Sequence, residues 1–325
     1  MLDDCGADVQ HIPSRERYHR NGTEMSRGPF DRELVAARLR RAMRNGPQAH
    51  VDFLYRLALE EVAARLSAVN RTFRDAMICT AAPCDAAEYL MDTGRVERII
   101  RTAPPGVPEE AGAERILDPE HPDLPREELD LFISVFDLAF VNDLPGALAA
   151  IRRALRPDGL FLAVLPGGET FHELRAAWAL TDSQLDGEPS LRVAPFCTLE
   201  QLGSLLQLAG FALPVTDSER LIIRYTDALS LMQEIRAMGW SNPLQNRPRK
   251  PVTRQHLALA AAQMETAFSN PDGRIRCTVE FCHLSGWAPH ESQQKPARPG
   301  SADIHLGEAL SACRTTIASD KETDC

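Results

Sequence analysis

The chain has 325 residues, of which 44% are hydrophobic and 25% charged, with a formal net charge of -10. This is an ordinary globular composition, long enough for one large core or two small ones. The acidic balance argues against general nucleic-acid binding, which needs a basic surface, and no apolar run reaches the roughly 18 residues that a membrane-spanning helix requires.

Residues 1–26 are polar and without periodicity, the pattern of a disordered leader, and Met25 is a second candidate start. The start Met1-Leu2-Asp3-Asp4 is acidic where a secretory signal would be basic. A cytoplasmic location is therefore expected, with peripheral membrane contact left open. Residues 27–70 read as an N-terminal helical segment, with helices at about 31–44 and 49–69. In the first of these Arg32, Arg38, Arg40, Arg41 and Arg44 face only Glu33. Such a face is either a solvated amphipathic surface or a docking surface for an acidic partner or a membrane.

From residue 71 to 292 short apolar runs alternate with helical spacing. Strands are expected at 76–79, 96–100, 115–117, 129–135 and 160–165, the last after the turn signal Arg156-Pro157-Asp158-Gly159. A helix at about 143–156 precedes that turn, and helices at about 169–181 and 198–209 flank the acidic loop 182–190. Two short strands, 211–215 and 221–225, then helices at about 227–238 and 253–268 and a last strand at 275–287 complete the run. Strands alternating with helices imply βαβ units and a mostly parallel sheet, and the late strands imply an antiparallel edge. Residues 293–325 read as a disordered polar tail. In such a sheet ligands bind beyond the carboxyl ends of the strands, so the loops near 80–85, 101–106, 118–122 and 136–142 are the expected site.

Several chemistries are excluded. There is no G-x-x-x-x-G-K phosphate loop. His172-Glu173 opens like a zinc-protease helix, but Ala176 stands where the second ligand belongs. Ser292 lacks a glycine elbow. The eight cysteines form no C-x-x-C and no Cys/His quartet, so no metal is expected and buried free thiols are the reading. Cys277 and Cys282, if on one strand, point to opposite faces.

Leu129-Asp130-Leu131-Phe132-Ile133-Ser134 with Val141-Asn142-Asp143-Leu144-Pro145, and Leu155-Arg156-Pro157-Asp158-Gly159, resemble the fourth and fifth strand regions of class I S-adenosylmethionine-dependent methyltransferases, the malonyl-carrier type of the biotin pathway among them. Gly167-Gly168-Glu169-Thr170, Val193-Ala194-Pro195-Phe196, Ala209-Gly210-Phe211 and Gly286-Trp287-Ala288-Pro289-His290-Glu291-Ser292 narrow the resemblance to the complex I assembly factor 5 family. It covers roughly residues 27–303. The resemblance implies a Rossmann-like, seven-stranded, mostly parallel sheet with an antiparallel edge and helices on both faces. It implies S-adenosylmethionine as cofactor and a respiratory-chain subunit or another protein as acceptor. The family's eukaryotic member is implicated in hydroxylating an arginine of a complex I subunit.

By that resemblance Thr80, Ala82, Asp118, Val141 and Asn142 are the cofactor-binding candidates, with Asp118 facing the adenine amino group. Asp118 before Pro119 is also a common turn starter, and Asn142 or Asp143 a common helix N-cap. No catalytic residue is assigned; His172 is either a general base or a surface group. Two departures stand out. The first turn, Ile78-Cys79-Thr80-Ala81-Ala82-Pro83-Cys84, has no glycine for close backbone approach. The second strand ends Ile100-Arg101-Thr102-Ala103-Pro104, with no carboxylate for a ribose. Each lost charge-assisted hydrogen bond costs about 1.5–3 kcal/mol. Two functions follow: a methyl-transferring or arginine-hydroxylase-like enzyme, or an inactive assembly or binding protein that keeps the fold.

Overall fold

The computed structural model describes residues 28–44, 49–81, 85–108 and 112–294, and the side chains of residues 49–52 are not described. The expected leader, the Ala82 candidate and most of the tail lie outside these residues. Helices α1 (Arg32–Arg44) and α2 (Ala49–Ala68) precede the sheet. The strands are β1 (Phe73–Thr80), β2 (Val96–Ala103), β3 (Arg115–Ile116), β4 (Leu129–Val135), β5 (Leu155–Pro166), β6 (Ala212–Tyr225) and β7 (Ile275–Trp287). Between them run α3 (Ala86–Met91), α4 (Leu144–Ala154), α5 (His172–Leu185), α6 (Leu199–Ala209), α7 (Ala228–Ala237) and α8 (Arg254–Phe268).

The seven strands form one sheet in the order β3-β2-β1-β4-β5-β7-β6. The five strands from β3 to β5 are parallel, and β7 pairs antiparallel with both β5 and β6. This is the expected architecture. One face packs a core with α2, α5, α7 and α8, with Leu66, Trp178, Ile235 and Met264 among its residues. The other packs one with α4 and α6, including Leu148 and Leu202. Central strands buried on both faces need continuous apolar runs, which is what β1, β4 and β5 supply. Cys277 and Cys282 fall in opposite cores, five positions apart on one strand.

Three expectations are corrected. The segments 211–215 and 221–225 are one strand, β6, that bends where Leu213 takes φ 48° and the register with β7 shifts between Ala212 and Val215. Strand β5 begins at Leu155 and carries the 157–159 turn as a bulge, with Asp158 at φ 63°. Helix α5 continues to Leu185, into the segment read as an acidic loop, because Asp182 is fully buried and paired with Arg192 at 2.7 Å.

Polar groups pin the frame at both ends. Arg156 bridges Asp75 on β1 and Asp130 on β4 at 3.0 and 2.9 Å, and its hydrogen bond holds the Asp75 carboxyl below the usual range. At the other end Glu173, on α5, accepts from Thr278 N and Thr278 Oγ1 at 2.9 and 2.7 Å. Glu280 accepts from Glu169 N at 3.0 Å, and its backbone exchanges hydrogen bonds with Thr170 Oγ1. The Gly167-Gly168-Glu169-Thr170 turn is thereby clamped on β7. A Cβ at Gly167 would stand 2.3 Å from Glu280 Oε2 and 2.6 Å from Cys282 Sγ. Gly167→Ala is expected to destabilise the protein by about 1–3 kcal/mol, seen as a lower denaturation midpoint; an unchanged midpoint would show that Glu280 yields freely.

Candidate active site at the carboxyl ends of the strands

The carboxyl ends of β1, β2 and β4 converge beneath α1. A cavity of about 80 Å³ remains there, lined by Arg32, Ala36, Tyr55, Ala81, Pro104, Asp118, Asp137 and Trp240 among others. At roughly 10–15 Å³ per water-sized probe it holds a few waters, whereas small-molecule sites run to about 300–1,000 Å³.

What closes it is Arg32, the first residue of α1. Its Nη2 donates to Asp118 Oδ1 at 2.8 Å and its Nη1 to Phe140 O at 2.9 Å, while Nε lies 3.4 Å from Glu120. The helix entry is fixed from both sides. Asn142 Oδ1 accepts from Phe30 N at 2.8 Å and its Nδ2 donates to Phe30 O, while Asp31 N bonds Pro243 O at 2.9 Å. Glu120 in turn accepts from the backbone of Asn142 and Asp143 at 2.7 and 2.9 Å. On the β2 side Gly106, at φ 107°, lies so near α1 that a Cβ would come within 2.3 Å of Ala36 O.

The solvated reading of the α1 arginines therefore fails for two of them. Arg32 is built into the cavity wall. Arg38 donates to Ser241 O, and burial, with Arg247 nearby, lowers its pKa to about 10. Periodicity cannot reveal this, because both partners lie more than 80 positions away.

Of the five cofactor-binding candidates, Asp118 lines the cavity, and its Oδ1 accepts from Arg32 and from Glu120 N at 3.0 Å, the latter a turn contact. Thr80 is fully buried at the end of β1, paired in register with Val135. Val141 packs into the α4–α6 core, and Asn142 serves the α1 entry. Asp143 is the N-cap of α4, accepting from Gly146 N at 2.9 Å. His172 is half exposed, its Nδ1 on Glu169 O and its Nε2 3.5 Å from Glu173.

Sequence reasoning missed Asp137. Phe136 adopts φ 68°, unusual for a bulky residue, and the chain turns so that half-buried Asp137 lines the cavity with its Oδ2 enclosed. Burial pushes the Asp137 carboxyl up to about 8, against the lowering pull of the Ala81 and Asp137 amides, Arg101 and Arg32, and its Oδ2 has no hydrogen-bond partner. A neutral carboxylic acid with a near-neutral pKa is a proton donor or acceptor suited to chemistry at pH 7. Around it stands an aromatic wall, with Phe136 5.2 Å from Tyr55, 5.0 Å from Trp240 and 5.3 Å from Phe281. Trp240 also borders a wider groove of about 540 Å³ between α5 and α7, lined by Trp178, Phe196 and Met232 and by Arg38, Arg192, Arg236 and Arg247.

S-adenosylmethionine held in the usual class I manner does not fit this arrangement of the described residues. Asp118, the acid that the resemblance puts at the adenine, is bonded to Arg32, the end of β2 offers no carboxylate, and α1 lies against the 104–107 loop.

No family model matches the chain. Mouse "Arginine-hydroxylase NDUFAF5, mitochondrial" is 32% identical over 290 residues, 86% of this chain and 83% of that protein. The rat protein of the same name is 35% identical over 207 residues, and that match spans 64% of this chain but only 60% of the rat protein's length. The malonyl-[acyl-carrier protein] O-methyltransferase of Halorhodospira halophila is 32% identical over 183 residues, 56% of this chain and 60% of that enzyme. Among solved structures, a Haemonchus contortus phosphoethanolamine N-methyltransferase in complex with S-adenosyl-L-methionine covers 71% of this chain and 52% of its own at 12% identity, with a TM-score of 0.41.

The raised Asp137 has a stability consequence. Its folded pKa lies above the unfolded value of 3.8, so its contribution is complete below about pH 4 and is lost as pH rises towards about 8. Asp137→Asn is expected to match the parent at pH 4 and to exceed it in urea midpoint at pH 8 and above. Parallel profiles would show the carboxyl to be ionised in the folded state.

Proposed function

The chain belongs to the arginine-hydroxylase NDUFAF5 family, and from that membership we propose that it acts on a protein subunit of a respiratory complex, through the carboxyl-end face of its sheet, with its methyl-donor pocket held shut by Arg32. The single observation that carries the closed pocket is the Arg32–Asp118 bond at 2.8 Å, which commits the one carboxylate the fold would offer an adenine. Support for a protein-directed role comes from the mouse relative, which is named an arginine hydroxylase and whose match covers 86% of this chain. The cytoplasmic face of a membrane is the proposed place of action, and none of the helices among the described residues is long and apolar enough to cross one.

Two chemistries fit this role. The absent ribose acid and the bonded Asp118 favour a binding or assembly protein that needs no methyl donor. The neutral Asp137 favours an enzyme, because a buried carboxyl with a partnerless oxygen in a cavity is a reactive group kept at a cost in stability. In the enzyme reading, Asp137 holds or gives up a proton in the cavity.

Titration calorimetry with S-adenosylmethionine separates these. The parent chain is expected to show no binding at micromolar ligand, and Arg32→Ala, which releases Asp118 and Glu120, to bind at least tenfold more tightly. Micromolar binding by the parent would overturn the closed pocket. No binding by either protein at millimolar ligand would favour the assembly reading, as would full rescue of complex assembly in a deletion strain by Asp118→Ala and Asp137→Asn chains.

A further inference from the structure

A second polar constellation lies on the α2-facing side of the sheet, near its β6–β7 edge. It shares no lining residue with the carboxyl-end cavity or with the groove beside it. His283 sits on β7 opposite Val164 of β5 and Asp217 of β6, and Glu219 follows two positions along β6 on the same face. Helix α2 brings Glu61 and, one turn on, Arg65 against them. One ligand atom from each of Glu61, Glu219 and His283 lies within 4.8 Å of the others.

The histidine is the informative member. It is 3% exposed, and neither ring nitrogen has a hydrogen-bond partner. Buried imidazoles ordinarily give at least one nitrogen to a partner, so two idle nitrogens facing two carboxylates are unexplained by the fold alone. A second grouping, Asp182, Asp186 and His256, makes the contrast plain. There Arg192 and Ser190 already saturate Asp182, and His256 bonds Thr253 and Asp186.

We infer that Glu61, Glu219 and His283 form a mononuclear divalent-cation site of the nitrogen-and-carboxylate kind that zinc takes. One imidazole and two carboxylates neutralise a dication and leave a fourth position for water. Magnesium and calcium, which take oxygen ligands throughout, suit the set less well. Contacts of roughly 2.0–2.2 Å require the three side chains to draw together, and two of them are free to do so: Glu219 is exposed and Glu61 only half-buried. Arg65, now on Glu61, has a second partner in Asp217 at 3.1 Å and can remain there when Glu61 turns to the ion.

The test is calorimetric titration of chelator-stripped full-length protein with zinc chloride, with magnesium chloride for comparison. Expected is one zinc bound with micromolar or better affinity, weakened at least tenfold in His283→Ala and in Glu219→Gln, while Asp182→Asn binds as the parent does. The exposed Glu219 position keeps the test valid if the histidine variant fails to fold. Cobalt supplies a readout apart from heat: its visible spectrum in the parent should show intense tetrahedral-type bands that Glu219→Gln loses. No stoichiometric zinc uptake, or uptake unaffected by Glu219→Gln, overturns the site.

Discussion

The Arg32 guanidinium is the constraint on which the arrangement of the carboxyl-end site depends. It ties the first turn of α1 to Asp118, Glu120 and Phe140 O, three groups from two loops after β3 and β4. An arginine is suited to this because its planar fork places several donors at fixed angles and stays charged when half-buried. The pair with Asp118 is partly exposed, so its Coulomb energy alone is modest. Its effect is geometric: it fixes a helix across the opening that a class I sheet ordinarily leaves for a nucleoside. The Phe30–Asn142 and Asp31–Pro243 bonds hold the same helix from the other side.

Beneath that helix the electrostatics favour neutral groups. Asp137 stands in a wall of Tyr55, Phe136 and Trp240, where ionisation would leave a charge poorly solvated. Arg101 and Arg32 pull its pKa down, but not enough to offset burial. An acid of raised pKa thus stands in the arginine-closed cavity, while the wider groove across Trp240 carries four arginines on an apolar floor.

The same frame explains why the diagnostic strings of the sequence lie where they do. Gly167 is small because the Glu280 carboxylate occupies the space beside it, and Glu173 is buried because Thr278 presents two donors to it. Gly286 packs against the Phe211 side chain, where an added Cβ would come within 2.9 Å of Phe211 Cβ and 3.0 Å of the ring. These positions join α5, β6 and β7 into the antiparallel edge, and they serve packing rather than reaction.

The order of elements, the parallel centre and the antiparallel edge were legible in the sequence, because apolar runs of strand length alternate with helical spacing and need no long-range information to be seen. The single long β6 was not, because Pro214 and a polar middle hide a strand that β7 completes from one side. Nor were the site's decisive groups. Asp137 reads as an ordinary polar residue after a strand until the left-handed turn at Phe136 sets it in the cavity. Arg32 reads as solvated until Asp118 meets it, and Glu61, Glu219 and His283 share no spacing at all. Periodicity reports which face a residue occupies within its own element; only the tertiary structure decides what surrounds it, and here enclosure raises the Asp137 carboxyl while the meeting of Arg32 with Asp118 closes the cavity.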